Sequence, residues 1–135
     1  MDKKQIVIDF IKNHGFCVIS SNSAEGFPQS AVLSYSEFDG TNIIVSTSSK
    51  TRKYKNIKEN PKTSIVIGWS TDDFLTLQMD GETTEAEDQQ KAGDIHCAKN
   101  EYAKNFRNDP DNKYLIFKPT WIRFTDLKTK EVFEL

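Results

Sequence analysis

The sequence is short of the residues from which most catalytic and metal sites are assembled. Only two cysteines, Cys17 and Cys97, and two histidines, His14 and His96, occur in 135 residues. The cysteines form no C-x-x-C pair and no metal-ligand spacing, which excludes a thiolate metal site, and no metal is expected. Two free thiols suit a reducing cytoplasm. There is no H-x-x-x-H, no G-x-S-x-G and no G-x-x-x-x-G-K-[ST]. His14 falls at a helix end, where an imidazole suits the C-terminal dipole. His96 and Cys97 are adjacent in a helix, where neighbouring side chains diverge, so they make no dyad. The acids Glu82, Glu85, Glu87 and Asp88 straddle a strand-to-helix junction, a common place for carboxylates.

Positive charge is also lacking. The net charge is −2 and the isoelectric point about 5.7, whereas a nucleic-acid binder is normally basic over its domain. No long apolar run follows Met1. The start, MDKKQIVIDF, is charged and amphipathic, neither a signal peptide nor a membrane span.

What remains is an ordinary globular composition, 36% hydrophobic and 28% charged. The length suits one domain over residues 1–135 with a core that needs no metal or disulfide. Nine phenylalanines suit a sheet-rich interior.

Asp2 to Asn13 reads as a helix. Asp2 and Gln5 are spaced as a capping box, Ile6, Val7, Phe10 and Ile11 share one face, and Gly15 is a stop signal. Strands then dominate: Phe16–Ser21, Gln29–Phe38, Thr41–Ser48, Thr63–Trp69 and Phe74–Ala86. Asp39-Gly40 is a hairpin signal, and Gly81 marks a bulge. A short helix is expected from about Lys50 to Glu59, ended by Asn60-Pro61. A longer one is expected over Asp88–Phe106, burying a stripe of Ile95, Ala98, Tyr102, Ala103 and Phe106. One or two strands follow around Pro119, and EVFEL is a last strand. Six or seven mostly antiparallel strands with short helices predict a mainly β fold, a small closed or nearly closed barrel.

The most informative feature is a charge anomaly. Lys50, Arg52, Lys53, Lys55 and Lys58 lie within nine positions of a net-acidic chain. They follow a strand that ends in the hydroxyls Ser46, Thr47, Ser48 and Ser49. Helix N-terminal amides, the helix dipole and neighbouring cations together make a phosphate site. The same run also fits a solvated helix face with pairs such as Lys55 and Glu59. With no nucleophile–base pair in the sequence, any hard chemistry falls to a bound cofactor.

The order of these features resembles the pyridoxamine 5′-phosphate oxidase-like FMN-binding split-barrel family, particularly its short members grouped with general stress proteins. The resemblance is carried by IIVSTSSKTRKYKNIKENPKTSIVIGW (Ile43 to Trp69). GFPQSAVL (Gly26 to Leu33), MDGETT (Met79 to Thr84) and FKPTWIRF (Phe117 to Phe124) add to it. It implies a split β-barrel of six or seven antiparallel strands and a homodimer with FMN at the interface. It implies that Thr51, Arg52 and Lys53 contact the FMN phosphate, with Lys50 a further candidate. Ser46 and Thr47 would lie against the ribityl-phosphate arm. Gln29, Ser30, Ala31 and Val32 would run along the ring, partly through backbone groups, and Thr76 or Gln78 would face the flavin from the partner subunit. The family's oxidase proper carries an R-x-H pair near its C-terminus for the substrate. This sequence has none, and QSAVLSYS holds no cation, so the resemblance carries FMN binding rather than vitamin B6 synthesis. An oxidoreductase of unnamed substrate, a non-catalytic flavin carrier or stress-related module, and a split barrel binding F420 or haem all remain open at this point.

Overall fold

The computed structural model describes residues 2–135. Helix α1 (Lys3–Lys12) leads into strands β1 (Phe16–Asn22), β2 (Pro28–Phe38) and β3 (Asn42–Ser48). Helix α2 (Arg52–Glu59) separates β3 from β4 (Lys62–Ile67) and β5 (Leu75–Glu85). Helix α3 (Gln89–Lys99) and a 3₁₀ stretch (Glu101–Phe106) precede β6 (Asn112–Asp126) and β7 (Glu131–Glu134). The strands hydrogen-bond in the order β3-β2-β1-β4-β5-β6-β7, and β3 also pairs with β6. Six antiparallel strands therefore close into a barrel, and β7 extends β6 outside it, as expected for a mainly β split barrel.

Alternation builds the core. On β5, Leu77 and Met79 are buried and Gln78 and Asp80 exposed, so one pleat face lines the interior. Val7, Phe10 and Ile11 of α1 join Ile19, Ile65, Leu77 and Phe117 in one cluster. Each such fully buried side chain contributes about 1.5–3 kcal/mol relative to exposure. The Tyr35 hydroxyl ties β2 to α1 by donating to the Ile11 carbonyl at 2.6 Å. Both cysteines are free and buried, and burial pushes the Cys17 thiol up to about 12.

The hairpin at Asp39-Gly40 forms, with φ of 50° and 82° at the two residues. The bulge expected at Gly81 is present: the β5–β6 register shifts between Asp80 and Gly81, where Gly81 faces Pro119. A side chain at Gly81 would run into the Lys118 carbonyl. β6 passes Pro119 as one continuous strand.

Three local expectations need correction. Asp2 does cap α1, accepting from the Lys4 amide at 3.0 Å, but Gln5 turns away and donates to Asp9 at 2.8 Å instead of completing a box. α1 ends at Asn13 rather than through a left-handed Gly15. The long helix breaks at Asn100, whose side chain donates to the carbonyls of His96 and Tyr35. α3 buries Ala92, Gly93, His96 and Cys97, while Tyr102 and Phe106 are exposed and Ala98 faces solvent. Of the expected stripe only Ala103 is buried and Ile95 partly so.

Candidate functional site

The barrel is split beside α2. β2 pairs with β3 only over Tyr35–Phe38, although β2 continues along β1 back to Pro28. Beyond Tyr35, β3 runs on with β6 alone, from Ser46 to Ser48. One backbone edge of β2 between residues 28 and 34 thus has no ladder partner among the described residues. Strand backbone alternates its polar groups between edges, so this notch offers free N–H and C=O groups beside Gln29, Ser30, Ala31 and Val32.

α2 closes the foot of the notch, and its start is built from hydroxyls. Thr51 is the N-cap. Its hydroxyl accepts from the Tyr54 amide at 3.3 Å and donates to the Ser48 carbonyl at 2.9 Å. A carbonyl cannot donate, so the hydroxyl's one proton is spent there, and Thr47, at 2.9 Å, must donate to Thr51. Thr51 therefore fixes where the helix begins; its hydroxyl has no proton left for a ligand. Thr47 and Ser46 point to opposite sides of β3. Thr47 meets α2, and Ser46, in register with Tyr114, faces the α3 side. The structure does not bring these two side chains together.

The cations separate into two kinds. Lys50 lies before the helix and pairs with Asp111 at 3.1 Å, and Lys58 lies 4.0 Å from Glu85. Among the described residues no carboxylate comes within ion-pair distance of Arg52, Lys53 or Lys55. The Lys55–Glu59 pair of a solvated helix face does not form. Lys50, Thr51 and Arg52 line a cavity of about 560 Å³ on the outer flank of α2, together with Tyr54 and Lys58. Lys53 lies on the other flank, on the same face as Asn56 three residues on. Asn56 is buried and bridges β1 to β2, donating to Ser21 at 3.2 Å and Gln29 at 2.9 Å. Lys53 is half-buried, and desolvation, with Arg52 beside it, holds its ammonium below the ordinary lysine value. An anion at the helix start would offset both effects by favouring the charged ammonium.

Thr76 and Gln78 sit elsewhere. The register aligns Val32, Val18, Val66, Gln78 and Arg123 in one row across the outer face of β2, β1, β4, β5 and β6. Gln78 is three strands from Val32, or roughly 14 Å at the usual spacing of about 4.8 Å. Thr76 donates its hydroxyl to the Gly68 carbonyl at 3.2 Å. Neither reaches the notch of its own chain.

Sequence reasoning missed Asn56, Asp111 and the Tyr54–Glu85 hydrogen bond of 2.6 Å that moors α2 to β5. In the sequence Asn56 is one more polar residue of a short helix, and nothing there marks it for burial. Asp111 and Glu85 come from distant segments, and nothing local announces them. No helix among the described residues is long and apolar enough to cross a membrane.

The chain matches the family model described as pyridoxamine 5′-phosphate oxidase over residues 4–126. No curated protein matches significantly. Among solved structures, the General Stress Protein 26 from Bacillus anthracis str. Sterne is 20% identical with a TM-score of 0.80, and each chain is fully covered. A protein related to general stress protein 26 from Clostridium acetobutylicum is 17% identical with a TM-score of 0.76, covering 99% of this chain and 96% of that one. A heme binding protein from Mycobacterium smegmatis is 14% identical with a TM-score of 0.85; all of this chain matches 58% of that one. At these identities the likeness is one of fold.

Proposed function

The chain belongs to the pyridoxamine 5′-phosphate oxidase family, and from that premise we propose that it is an FMN-binding flavoprotein, an oxidoreductase of unassigned substrate. The observation that carries the reading is the pair Arg52 and Lys53. They are two cations without acid partners among the described residues, at a hydroxyl-capped helix start, one of them half-buried. A half-buried ammonium without a counter-ion calls for an anion, and a phosphomonoester fits the amides, guanidinium and ammonium assembled there.

In this reading Arg52 and Lys53 grip the phosphate from the two flanks of α2, and Thr51 with Thr47 holds the helix start in place. Lys50 joins only if the phosphate displaces Asp111. The unpaired edge of β2 over Gln29, Ser30, Ala31 and Val32 supplies backbone groups to the ring. Asn56 keeps that edge at a fixed distance from α2 through Gln29. When bound, the flavin supplies hydride acceptance at its N5; the chain supplies position and charge.

We propose a homodimer as well, and an aliphatic row on the outer face supports it. Val32 is 62% exposed and continues through Val18 and Val66 as an aliphatic row. A second copy packed there would cover the row and bring its own Thr76 and Gln78 toward the notch. We assign the activity to a single domain over 1–135 in the cytoplasm, without membrane or nucleic-acid partners. The alternative of a haem-binding split barrel gains only a likeness of fold from the heme binding neighbour. Here His96 is fully buried, and the free Nε2 of His14 faces the cleft at the start of β1, away from α2 and the notch.

The test is titration of flavin-free protein with FMN. Arg52→Ala is expected to weaken binding by about 1.5–3 kcal/mol, the range for hydrogen bonds to charged groups. Unchanged affinity removes Arg52 from the site.

A further inference from the structure

We propose that a cleft at the far end of β1 from α2 binds a small planar aromatic cation. The cleft has a volume of about 330 Å³ and lies where α1 ends, β1 begins and β4 ends. His14, Phe16, Trp69, Ser70 and Asp73 line it. This size is at the small end of ligand sites, about 300–1,000 Å³. Phe16 is five residues along β1 from Ser21, which Asn56 of α2 touches, or roughly 16 Å away at about 3.3 Å per residue. The aliphatic row proposed for the dimer passes through Val18, one step short of Phe16. The cleft is thus separate from the phosphate grip, and the inference does not depend on the flavin.

Two aromatic side chains at the cleft are open to solvent. Phe16 is 60% and Trp69 54% exposed, and both border the same cleft, with Phe74 of the adjoining turn also exposed. Exposed aromatics with polar groups at their rim mark binding surfaces. Trp gives the best face for a cation.

Acceptors complete the cleft. The His14 ring stacks on Phe10 with centroids 4.1 Å apart. Its Nδ1 lies 2.8 Å from the Phe10 carbonyl, which can only accept, so Nδ1 carries the proton. In the neutral ring Nε2 is then an acceptor held in a fixed direction, and it has no hydrogen-bond partner among the described residues. Asp73 accepts from the Leu75 amide at 3.1 Å through one oxygen, and no cation pairs with it among the described residues. Among the described residues no lysine or arginine lines the cleft. Lys128, close by, is engaged by the Asp72 carbonyl and the Phe74 ring. The charge lining the cleft is therefore the Asp73 carboxylate, which favours an amidinium or aromatic ammonium over a carboxylate or phosphate.

The loop that presents these groups is over-determined. Gly68 turns with φ +88°, and a Cβ there would lie 2.5 Å from the Leu75 carbonyl oxygen and 2.7 Å from Phe10 Cζ. Phe74, a bulky residue, is held at φ 56°, and its amide closes the turn onto the Ser70 carbonyl at 3.2 Å. Left-handed backbone at such a residue persists only where its surroundings enforce it, and it clusters at ligand sites.

The experiment is a titration of the full chain with benzamidine, followed by nitrogen-15 NMR of its two indoles and of the His14 ring. Trp121, whose indole donates to Glu134 at 2.9 Å, is the internal control. A saturable shift at Trp69 and His14 with Trp121 unmoved is expected, as is no response to benzoate. Asp73→Asn keeps an oxygen for the Leu75 amide and should weaken binding about tenfold or more, the effect of losing a charged partner. Equal movement of both indoles, an equal response to benzoate, or an unchanged Asp73→Asn variant overturns the proposal. So does the absence of saturable shifts at about 10 mM, tenfold beyond a millimolar site. FMN added to the same sample reads the other site separately, so failure of either leaves the other standing.

Discussion

Lys53→Met should move stability and ligand affinity in opposite directions. The substitution keeps the length of the side chain and removes its charge. In the ligand-free protein Lys53 is half-buried, has no acid partner among the described residues, and is held below its ordinary value of 10.5 by desolvation and by Arg52. Burial therefore opposes its charge, and removing the charge should stabilise the free protein against urea. Phosphate binding should suffer instead. One charge-assisted hydrogen bond contributes about 1.5–3 kcal/mol, which is roughly 10- to 150-fold in Kd. The pH dependence has a definite sign. An anion raises the Lys53 value, so binding takes up a proton in the alkaline range. FMN affinity should fall as pH rises through the depressed value, before an ordinary lysine would titrate. The assays are FMN fluorescence quenching across pH and urea unfolding without ligand, with Lys12→Met at the exposed end of α1 as control. A Lys53→Met protein that is less stable yet binds FMN unchanged would refute the reasoning, because Lys53 would then be a structural group.

Asp111→Asn should release Lys50 toward the phosphate and tighten FMN by at most about fivefold, since an exposed pair contributes about 1 kcal/mol or less; isothermal titration reads it. His96 should make the fold acid-sensitive. Burial, and then Lys99, lower it from 6.5 to about 4, so below pH 6.5 the unfolded chain takes a proton that the folded one resists. Stability should drop by about 3 kcal/mol between pH 6.5 and 4. Urea unfolding at several pH values checks this, and His96→Gln should flatten the profile. Val32→Glu places a charge in the aliphatic row and should shift sedimentation from dimer to monomer; a wild-type monomer counts against the interface.

The barrel was legible because its cues are local. Alternation on β5, the Asp39-Gly40 turn and the Gly81 bulge each depend on a few adjacent residues. α3 was misread because apolar side chains were expected to face inward. The helix instead sets His96 against the buried Ser36 hydroxyl at 3.1 Å, and Asn100 ends it by bonding back to the barrel. Such polar packing leaves no apolar stripe to detect. The cations at the candidate site were visible as a charge anomaly, but their division was not. Lys50 and Lys58 are engaged by Asp111 and Glu85, acids supplied by other segments, and only the closed fold distinguishes them from Arg52 and Lys53. The notch itself depends on β2 and β3 parting beyond Tyr35, a property of two strands together that neither shows alone.

The most direct test of the central claim is the visible spectrum of the freshly purified protein, with the mass of any chromophore released on denaturation. A flavin spectrum and the mass of FMN, or a colourless protein that turns yellow and quenches FMN fluorescence on titration, is the predicted result. A colourless protein that leaves FMN fluorescence unchanged, or one that releases haem, would contradict it.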